Sequence, residues 1–307
     1  MSTLVVLENA DLKVVISPFV GGSIVSFQYN LNGEWVDVMR PTSQEAVEGG
    51  EAGLFSSFTM IPFSNRIAEG VLSFQGTQYS LDINPEVGHT IHGDVRSRPW
   101  KIAKQSASSL EICFDSNEYP AINWPWSFSA TVEYVLDGKE FITRMSVKNT
   151  DAHPMPAGMG IHPYFVRKLA ANDEKVAVQL PTTGVYPGET QIPTGGWIAV
   201  PSELDFSAEK LLTADYLDKC FFTAQTAASI RWVSSGVQLN MDWDPVFQHL
   251  IIYCPLDDHD VFAVEPVTNC NNAFNLAAAG VEQTGMVVLQ TDQVLTGDVR
   301  LTIRRDC

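Results

Sequence analysis

The chain has 307 residues, of which 45% are hydrophobic and 18% charged, a composition typical of globular proteins rather than of disordered ones. Its net charge is −17, from 36 acidic and 19 basic residues. Because nucleic acids and anionic membrane surfaces attract clustered lysine and arginine, this charge argues against both as partners.

The N-terminal stretch MSTLVVLENADLKVV has no basic start and no small-residue cleavage pattern, so it does not resemble a signal peptide. No apolar run approaches the roughly 20 residues that cross a bilayer. The five cysteines are widely spaced and form no C-x-x-C pair, which gives no sign of a zinc ribbon or a thioredoxin-type redox site. We therefore expect a cytoplasmic protein.

Short strands joined by tight turns are predicted along the chain. The dipeptides Asn32-Gly33, Gln75-Gly76 and Ser235-Gly236 each separate two runs with strand character. The clearest hairpin is FSATVEYVL followed by FITRMSVKN, since apolar and polar residues alternate in both runs. Asp137-Gly138 predicts its turn, because glycine accepts a positive φ.

Helical periodicity is scarce. The best short candidates are the region from Ser43 to Glu48 and ELDFSAEKLL, residues 203–212. The chain shows no linker, low-complexity segment or strong repeat. Many short strands with closely spaced turns predict an antiparallel sandwich or a related all-β fold, in one domain over residues 1–307.

Four segments look unlike ordinary strands, and the first is PFSNRIAEG. It places Asn65 and Arg66 just before a predicted hairpin. An arginine presents a planar fork of donors that suits hydroxyl and carboxylate oxygens. Taken alone, however, Arg66 is better interpreted as a loop residue that pairs with a surface acid.

The second segment is GHTIHGDVRSRPW, in which His89 and His92 have H-x-x-H spacing. The neighbouring glycines indicate a loop rather than a helix, and no third ligand pattern accompanies them, so no metal site is predicted. A structural role suits His89. His92, next to Gly93, is placed to donate a hydrogen bond to a ligand.

The third segment, GMGIHPYF, contains His162 immediately before Pro163. Proline has no backbone donor and favours an extended residue before it, so His162 is predicted to be extended, or to lie at a strand edge or bulge. Tyr164 and Phe165 should then point to opposite faces. A lone histidine among apolar residues is usually structural.

The fourth segment is VFAVEPVTNCNNAFN, where Glu265 follows an apolar run. A strand that ends in an acid can deliver a carboxylate to a cleft, although pairing with Arg or Lys is the simpler interpretation. Histidine and glutamate have reference pKa values of about 6.5 and 4.3, which suit proton transfer near neutral pH. The G-x-S-x-G elbow of serine hydrolases does not occur.

These four segments, with LDKCF between the third and the fourth, resemble in chain order the motifs of the aldose 1-epimerase family, also called galactose mutarotases. They are SNRIAEG, IHGDVRSRPW, IHPYF, LDKCF and FAVEPVTNCNNAFN, and they span roughly Asn65 to Asn275. The resemblance implies a large antiparallel β-sandwich with a cleft on one sheet. It also implies interconversion of the α and β anomers of an aldose, with no cofactor and no metal.

The resemblance further implies roles for six residues. His162 corresponds to the general acid and Glu265 to the general base of the family. Four more residues correspond to its sugar contacts: Asn65, Arg66, His92 and Asp218, the last in LDKCF. A small monosaccharide is therefore the expected partner.

Three departures from the family pattern leave the preferred sugar open. Asp94 takes the position of a frequent second glycine after the H-G histidine, Ile161 and Pro163 flank His162, and PVTNCNN replaces the usual turn after Glu265. Two alternatives remain at this point. One is an epimerase acting on hexose 6-phosphates, for which Arg96, Arg98 and Lys101 are candidate phosphate ligands; the other is a sugar-binding module without turnover.

Overall fold

The computed structural model describes residues 4–188 and 190–305, in which antiparallel strands dominate. The strands up to residue 137 are β1 (Val5–Glu8), β2 (Leu12–Ser17), β3 (Ser23–Leu31), β4 (Glu34–Asp37), β5 (Ser57–Met60), β6 (Arg66–Ile67), β7 (Val71–Phe74), β8 (Thr77–Ser80), β9 (Thr90–Ile91), β10 (Lys101–Gln105), β11 (Ser109–Asp115) and β12 (Phe128–Asp137). The strands after it are β13 (Glu140–Asn149), β14 (Met155–Ala157), β15 (Gly160–Val166), β16 (Val176–Gln179), β17 (Gly184–Val185), β18 (Lys210–Leu211), β19 (Leu217–Phe222), β20 (Ala227–Trp232), β21 (Val237–Trp243), β22 (His249–Cys254), β23 (Val261–Val267), β24 (Val287–Leu289) and β25 (Val294–Arg305).

Helices are few and short in the described residues. The α-helices are α1 (Gln44–Gly49) and α2 (Ala273–Ala278), and the 3-10 helices are Ala52–Leu54, Ala68–Gly70, Val95–Ser97, Ser116–Glu118 and Ser202–Leu204. None of them has the length and apolar character of a membrane span. The all-β prediction is therefore confirmed.

Two large antiparallel sheets form the sandwich. The front sheet has the strand order β1-β2-β3-β5-β15-β23-β22-β19-β17, with β4 added beside β3. The back sheet has the order β10-β11-β12-β13-β25-β21-β20-β16-β18. Side chains from both sheets share the main core, with Phe27 and Phe165 of the front sheet in the same cluster as Phe128 and Phe141 of the back sheet.

The front sheet is covered on both faces. Its outer face holds a second cluster, in which Phe58, Tyr164 and Ile251 of the sheet meet Phe55 and Ala273 from overlying segments. As a result, every residue of β15 and β23 is buried. The back sheet has one wet face, and β12 alternates between buried and half-buried positions along its length.

The four predicted hairpins are confirmed. β12 and β13 pair from Phe128–Asn149 to Asp137–Glu140, around the turn in which Gly138 has φ of 56°. The other three join β3 to β4, β7 to β8 and β20 to β21. Alternating runs joined by glycine-containing turns thus predict their own pairing.

One of the two predicted helices is correct. α1 begins after Ser43, whose hydroxyl accepts the N–H of Ala46 at 3.1 Å as an N-cap. The helix predicted over residues 203–212 is wrong. The short 3-10 helix Ser202–Leu204 stands there, followed by β18, which pairs with β16. Strand pairing at the edge of the back sheet overrides the local helical pattern.

Candidate active site

Side chains from the middle of the front sheet form the floor of a cavity of about 520 Å³. Phe58 on β5 is paired with His162 on β15, and Glu265 on β23 is paired with Ile251 on β22. The β15–β23 register also sets His162 opposite Glu265. A row of cavity residues therefore runs across four strands, from Phe58 through His162 and Glu265 to Ile251.

His162 and Glu265 are in direct contact in this row. Nε2 of His162 lies 3.1 Å from Oε1 of Glu265, and only 6% and 1% of their side-chain surfaces are exposed. Within the described residues, the other two polar atoms, Nδ1 of His162 and Oε2 of Glu265, have no hydrogen-bond partner. Because a buried polar atom without a partner costs about 1–3 kcal/mol, a ligand that pairs with it gains affinity.

Burial shifts the protonation of both residues toward their neutral forms. It lowers the pKa of His162 to about 3, and the positive charges of Arg40 and Arg96 act in the same direction. It raises the pKa of Glu265 well above its ordinary value, assisted by the negative charge of Asp218. At neutral pH these directions leave one proton on the pair, on Glu265, which lies 3.1 Å from Nε2 of His162.

Asp218 lies on β19, beyond Glu265 in the sheet, and faces Arg66. Nη2 of Arg66 is 3.6 Å from Oδ2 of Asp218, and both side chains are largely buried. Nη1 of Arg66 donates to Oδ1 of Asn65 at 3.1 Å. Burial raises the pKa of Asp218, and the charge of Arg66 opposes that rise. These side chains present a connected set of donors and acceptors that can bind hydroxyl groups directionally.

His92 reaches the site through two left-handed backbone positions, one at Asn65 and one at His92 itself. Asn65 and His92 have φ of 54° and 63°, a conformation that costs a non-glycine residue about 1–2 kcal/mol. The N–H of His92 donates to the carbonyl of Asn65 at 2.8 Å. The next residue, Gly93, cannot carry a side chain, since a β-carbon there would lie 2.0 Å from the carbonyl oxygen of Ile61.

The His92 ring then packs edge-on against the ring of His162, with centres 5.4 Å apart. Burial, aided by the charge of Arg96, lowers the pKa of His92 well below its usual range. His92 is therefore a neutral imidazole beside the His162–Glu265 pair.

Two aromatic residues of the cavity carry no functional signal in the sequence. Phe58 stacks on His162 with ring centres 4.7 Å apart, and Tyr253 meets His162 edge-on at 6.4 Å. An aromatic residue inside a buried strand cannot be told from a core residue by its pattern. Tyr164, from the H-x-Y-F motif, also lines the cavity, whereas Phe165 points into the main core, as predicted.

His89 and Trp100 support the loops around the cavity and do not line it. Nδ1 of His89 accepts the N–H of Glu69 at 3.1 Å. Trp100 is buried and donates from Nε1 to the carbonyl of Val95 at 3.3 Å. In the described part of the chain, no group of three or more His, Cys, Asp or Glu side chains is placed to hold a metal ion.

Among the basic residues that follow His92, only Arg96 lines the cavity. Arg98 pairs with Asp94 at 2.5 Å, and Lys101 forms an exposed ion pair with Glu118. Asp94, the departure from the family's glycine, therefore anchors the loop and does not reach the cavity.

All six residues singled out in the sequence line this one cavity: Asn65, Arg66, His92, His162, Asp218 and Glu265. The sequence model described as Aldose 1-epimerase matches residues 3–302, which is nearly the whole chain. This chain belongs to the aldose 1-epimerase family.

Several known proteins are similar to this aldose 1-epimerase family member. An uncharacterized protein of Escherichia coli K12, YihR, is 29% identical over 221 residues, which cover 70% of each chain. The galactose mutarotase of Homo sapiens is 30% identical over 141 residues, which cover 43% of this chain and 39% of the human one. The crystal structure of a putative aldose 1-epimerase from Escherichia coli K12 covers 99% of each chain with a TM-score of 0.84 and 23% identity, which supports the fold.

Proposed function

We propose that this protein interconverts the α and β anomers of an aldose by general acid–base catalysis, without a cofactor, and that Glu265 and His162 transfer the protons. The observation that carries the proposal is their 3.1 Å contact on the floor of a cavity lined by hydroxyl-binding side chains. Membership in the aldose 1-epimerase family supports the same reaction class.

In the proposed reaction, Glu265 removes the proton from the anomeric hydroxyl O1 while His162 donates a proton to the ring oxygen O5. The C1–O5 bond breaks and a C1=O1 double bond forms, giving the open aldehyde. Rotation about C1–C2 presents the other face, and ring closure returns both protons. Each positioned proton-transfer group contributes about 10²–10⁴-fold to such a reaction.

The shared proton fits this scheme, because the reaction uses one acid and one base at the same time. Since burial favours the neutral forms, the single proton of the pair rests on Glu265 and crosses the 3.1 Å contact to His162 before ring opening. Ring opening then leaves Glu265 protonated and His162 neutral again. Asn65, Arg66, His92 and Asp218 are proposed to hold the sugar hydroxyls, since each lines the cavity and offers directional donors or acceptors.

The alternative of a hexose 6-phosphate substrate receives less support. A phosphate dianion is usually bound by several cations. Two of the three candidate residues, Arg98 and Lys101, are engaged by Asp94 and Glu118. A sugar-binding module without turnover is also disfavoured, because burying an acid and a histidine side by side carries a cost that binding alone does not require.

The experiment that tests the proposal is NMR exchange spectroscopy of freshly dissolved aldoses with the purified protein. We expect faster α–β exchange for at least one aldose, and a loss of about 10²–10⁴-fold in His162→Asn. Lys101→Gln, an exposed residue outside the cavity, is the control and should retain full rate. Unchanged exchange across a panel of aldoses and their 6-phosphates would overturn the proposal.

Two further expectations belong to this proposal. A single domain over residues 1–307 is supported by the core that both sheets share. A cytoplasmic location is supported by the free thiols of Cys113, Cys220, Cys254 and Cys270.

A further inference from the structure

Arg96 is a cavity residue whose guanidinium forms no hydrogen bond or ion pair within the described residues. Its guanidinium lies over the ring of Phe58, 5.4 Å from the ring centre. Among the residues that the structure describes, none accepts a hydrogen bond or forms an ion pair with it, whereas Arg66 and Arg98 are both paired with aspartates. Arg96 is half-buried at the cavity wall, so its unused N–H donors are open to an acceptor on a ligand.

The backbone that carries Arg96 is fixed in place. Gly21 packs so tightly against it that a β-carbon there would lie 2.0 Å from the carbonyl oxygen of Arg96. The N–H of Gly21 donates to the carbonyl of Arg98 at 2.9 Å, and the N–H of Trp100 donates to Pro18 at 2.8 Å. The backbone from which the Arg96 side chain extends is thus fixed at the cavity wall.

The strand order shows on which side of His162 and Glu265 the Arg96 side chain lies. β5, β15 and β23 are adjacent in the front sheet, so Phe58, His162 and Glu265 follow one another across the floor. Arg96 lies over Phe58 and is therefore beyond His162 on the side away from Glu265. Asp218 and its partner Arg66 lie on the opposite side, beyond Glu265.

The connectivity of an aldopyranose matches this order. Its atoms O1, C1, O5, C5 and C6 are bonded in sequence. If Glu265 acts on O1 and His162 acts on O5, the next group along the floor is C5 with its substituent C6. In that orientation, C6 extends toward Arg96 over Phe58.

We propose that Arg96 binds a carboxylate on C6, so that the preferred substrates are hexuronic acids. This inference rests on the proposed function, because that reaction sets the orientation of the ring. A carboxylate matches the two parallel N–H donors of one guanidinium and neutralises its charge, which a hydroxyl does not. A phosphate dianion, which carries a second charge, fits less well, because the other two candidate cations, Arg98 and Lys101, are engaged elsewhere.

The binding test uses methyl glycosides, which have no free anomeric hydroxyl and cannot be turned over. Methyl glucuronide and methyl galacturonide are compared with methyl glucoside and methyl galactoside by NMR titration. We expect at least one uronide to bind about 30-fold or more tightly than its parent glycoside. Arg96→Gln should abolish this difference, Arg96→Lys should keep part of it, and Lys101→Gln should keep all of it.

The kinetic test measures exchange rates for free hexuronic acids, hexoses and hexose 6-phosphates. Arg96→Gln should lower kcat/KM for the preferred hexuronic acid about 30-fold more than for its parent hexose. Equal losses for all sugars, a stronger preference for 6-phosphates, or uronide binding that does not depend on Arg96 would each overturn the inference.

The two proposals fail in different ways. If exchange is accelerated only for neutral hexoses and Arg96→Gln does not change the preference, the proposed function stands and the inference is wrong. If no sugar exchanges faster but uronides still bind through Arg96, the proposed reaction is wrong and the carboxylate subsite stands. Circular dichroism of Arg96→Gln and Arg96→Lys is the control that both variants fold.

Discussion

The hairpin β12–β13 and the strands β15 and β23 use polar residues in opposite ways. In the hairpin, polar side chains occupy the wet face of the back sheet, where Glu133 and Arg144 form a cross-strand ion pair at 2.8 Å. In β15 and β23 every position is buried, yet the strands contain His162 and Glu265. The first pair lies where polar groups cost little, and the second lies where they are expensive.

This difference separates polar residues that the fold tolerates from those that function retains. A charged group on a wet strand face requires no special explanation. A histidine and an acid inside a sheet covered on both faces destabilise the protein unless they pair, and even when they pair they add little to stability. Replacing His162 or Glu265 should therefore change activity more than stability, and replacing residues of the back sheet should do the reverse.

Glu265→Gln is expected to have the largest effect on activity. It removes the proposed base while preserving shape, so kcat should fall about 10³-fold, equivalent to about 4 kcal/mol in the barrier. The free energy of unfolding at pH 7 should be unchanged or higher. Because burial raises the pKa of Glu265 above its value in the unfolded chain, the protein loses stability as the pH rises above that unfolded-chain pKa. Glutamine does not titrate, so the variant does not lose this stability.

Exchange spectroscopy and urea unfolding of the same preparation check both expectations. Full activity in Glu265→Gln would contradict the assigned base but not the reaction. A large loss of stability would contradict the view that Glu265 is retained for function.

Phe141→Ala in the back sheet is expected to show the reverse pattern. Phe141 is buried and packs on Phe27 at 5.3 Å and on Tyr134 at 5.9 Å. Removing a buried phenyl ring leaves a cavity that costs about 3–4 kcal/mol. Thermal and urea unfolding should show this loss, whereas kcat per folded molecule should stay constant. A drop in kcat of the folded fraction would show that the main core positions the site.

The same contrast explains what the sequence could predict. Alternation along FSATVEYVL and FITRMSVKN predicts the pairing of β12 with β13, because one face of the back sheet is wet. β15 and β23 lack alternation, since the second cluster covers their outer face. His162 and Glu265 therefore stand out only as polar residues beside apolar runs, and the family resemblance alone gives them roles. Their 3.1 Å contact depends on a register that the sequence does not display.

Contacts between residues that are far apart in the chain are not displayed by the sequence. Phe58 lies about a hundred positions before His162 in the chain, and only the β5–β15 pairing brings the rings together. Proximity along the chain groups Arg96 with Arg98 and Lys101 as candidate phosphate ligands. The loop geometry separates the three residues. Gly21 packs against the backbone of Arg96, which lines the cavity, whereas Asp94 holds Arg98 outside it.

The pH dependence of kcat should report the single proton held by His162 and Glu265. We expect a pH range in which kcat is constant, and a fall of about tenfold per pH unit on either side of it. The reactive pair holds one proton, so activity falls when a second proton binds or when the shared one is lost. Burial lowers the pKa of His162 to about 3, so kcat at pH 5 should stay within about twofold of its value at pH 7.

The alkaline limb should lie well above the ordinary range of a glutamate, because burial raises the pKa of Glu265. A fall in kcat centred near pH 6.5, with the protein still folded by circular dichroism, would show that His162 titrates as an exposed histidine does. That result would contradict the shared-proton description of the pair.

Arg144→Gln on the wet face of β13 is expected to have the smallest effect of all. Arg144 contacts Glu133 at 2.8 Å and Asp298 at 3.1 Å, but it is itself 45% exposed. Solvent screens such pairs, so the loss of stability should stay below about 1 kcal/mol and shrink further in high salt. Since none of the three residues lines the cavity, kcat should not change. A larger loss, or one that salt does not reduce, would show that polar pairs on the back sheet stabilise the fold. The two regions would then differ only in that His162 and Glu265 take part in the proposed reaction.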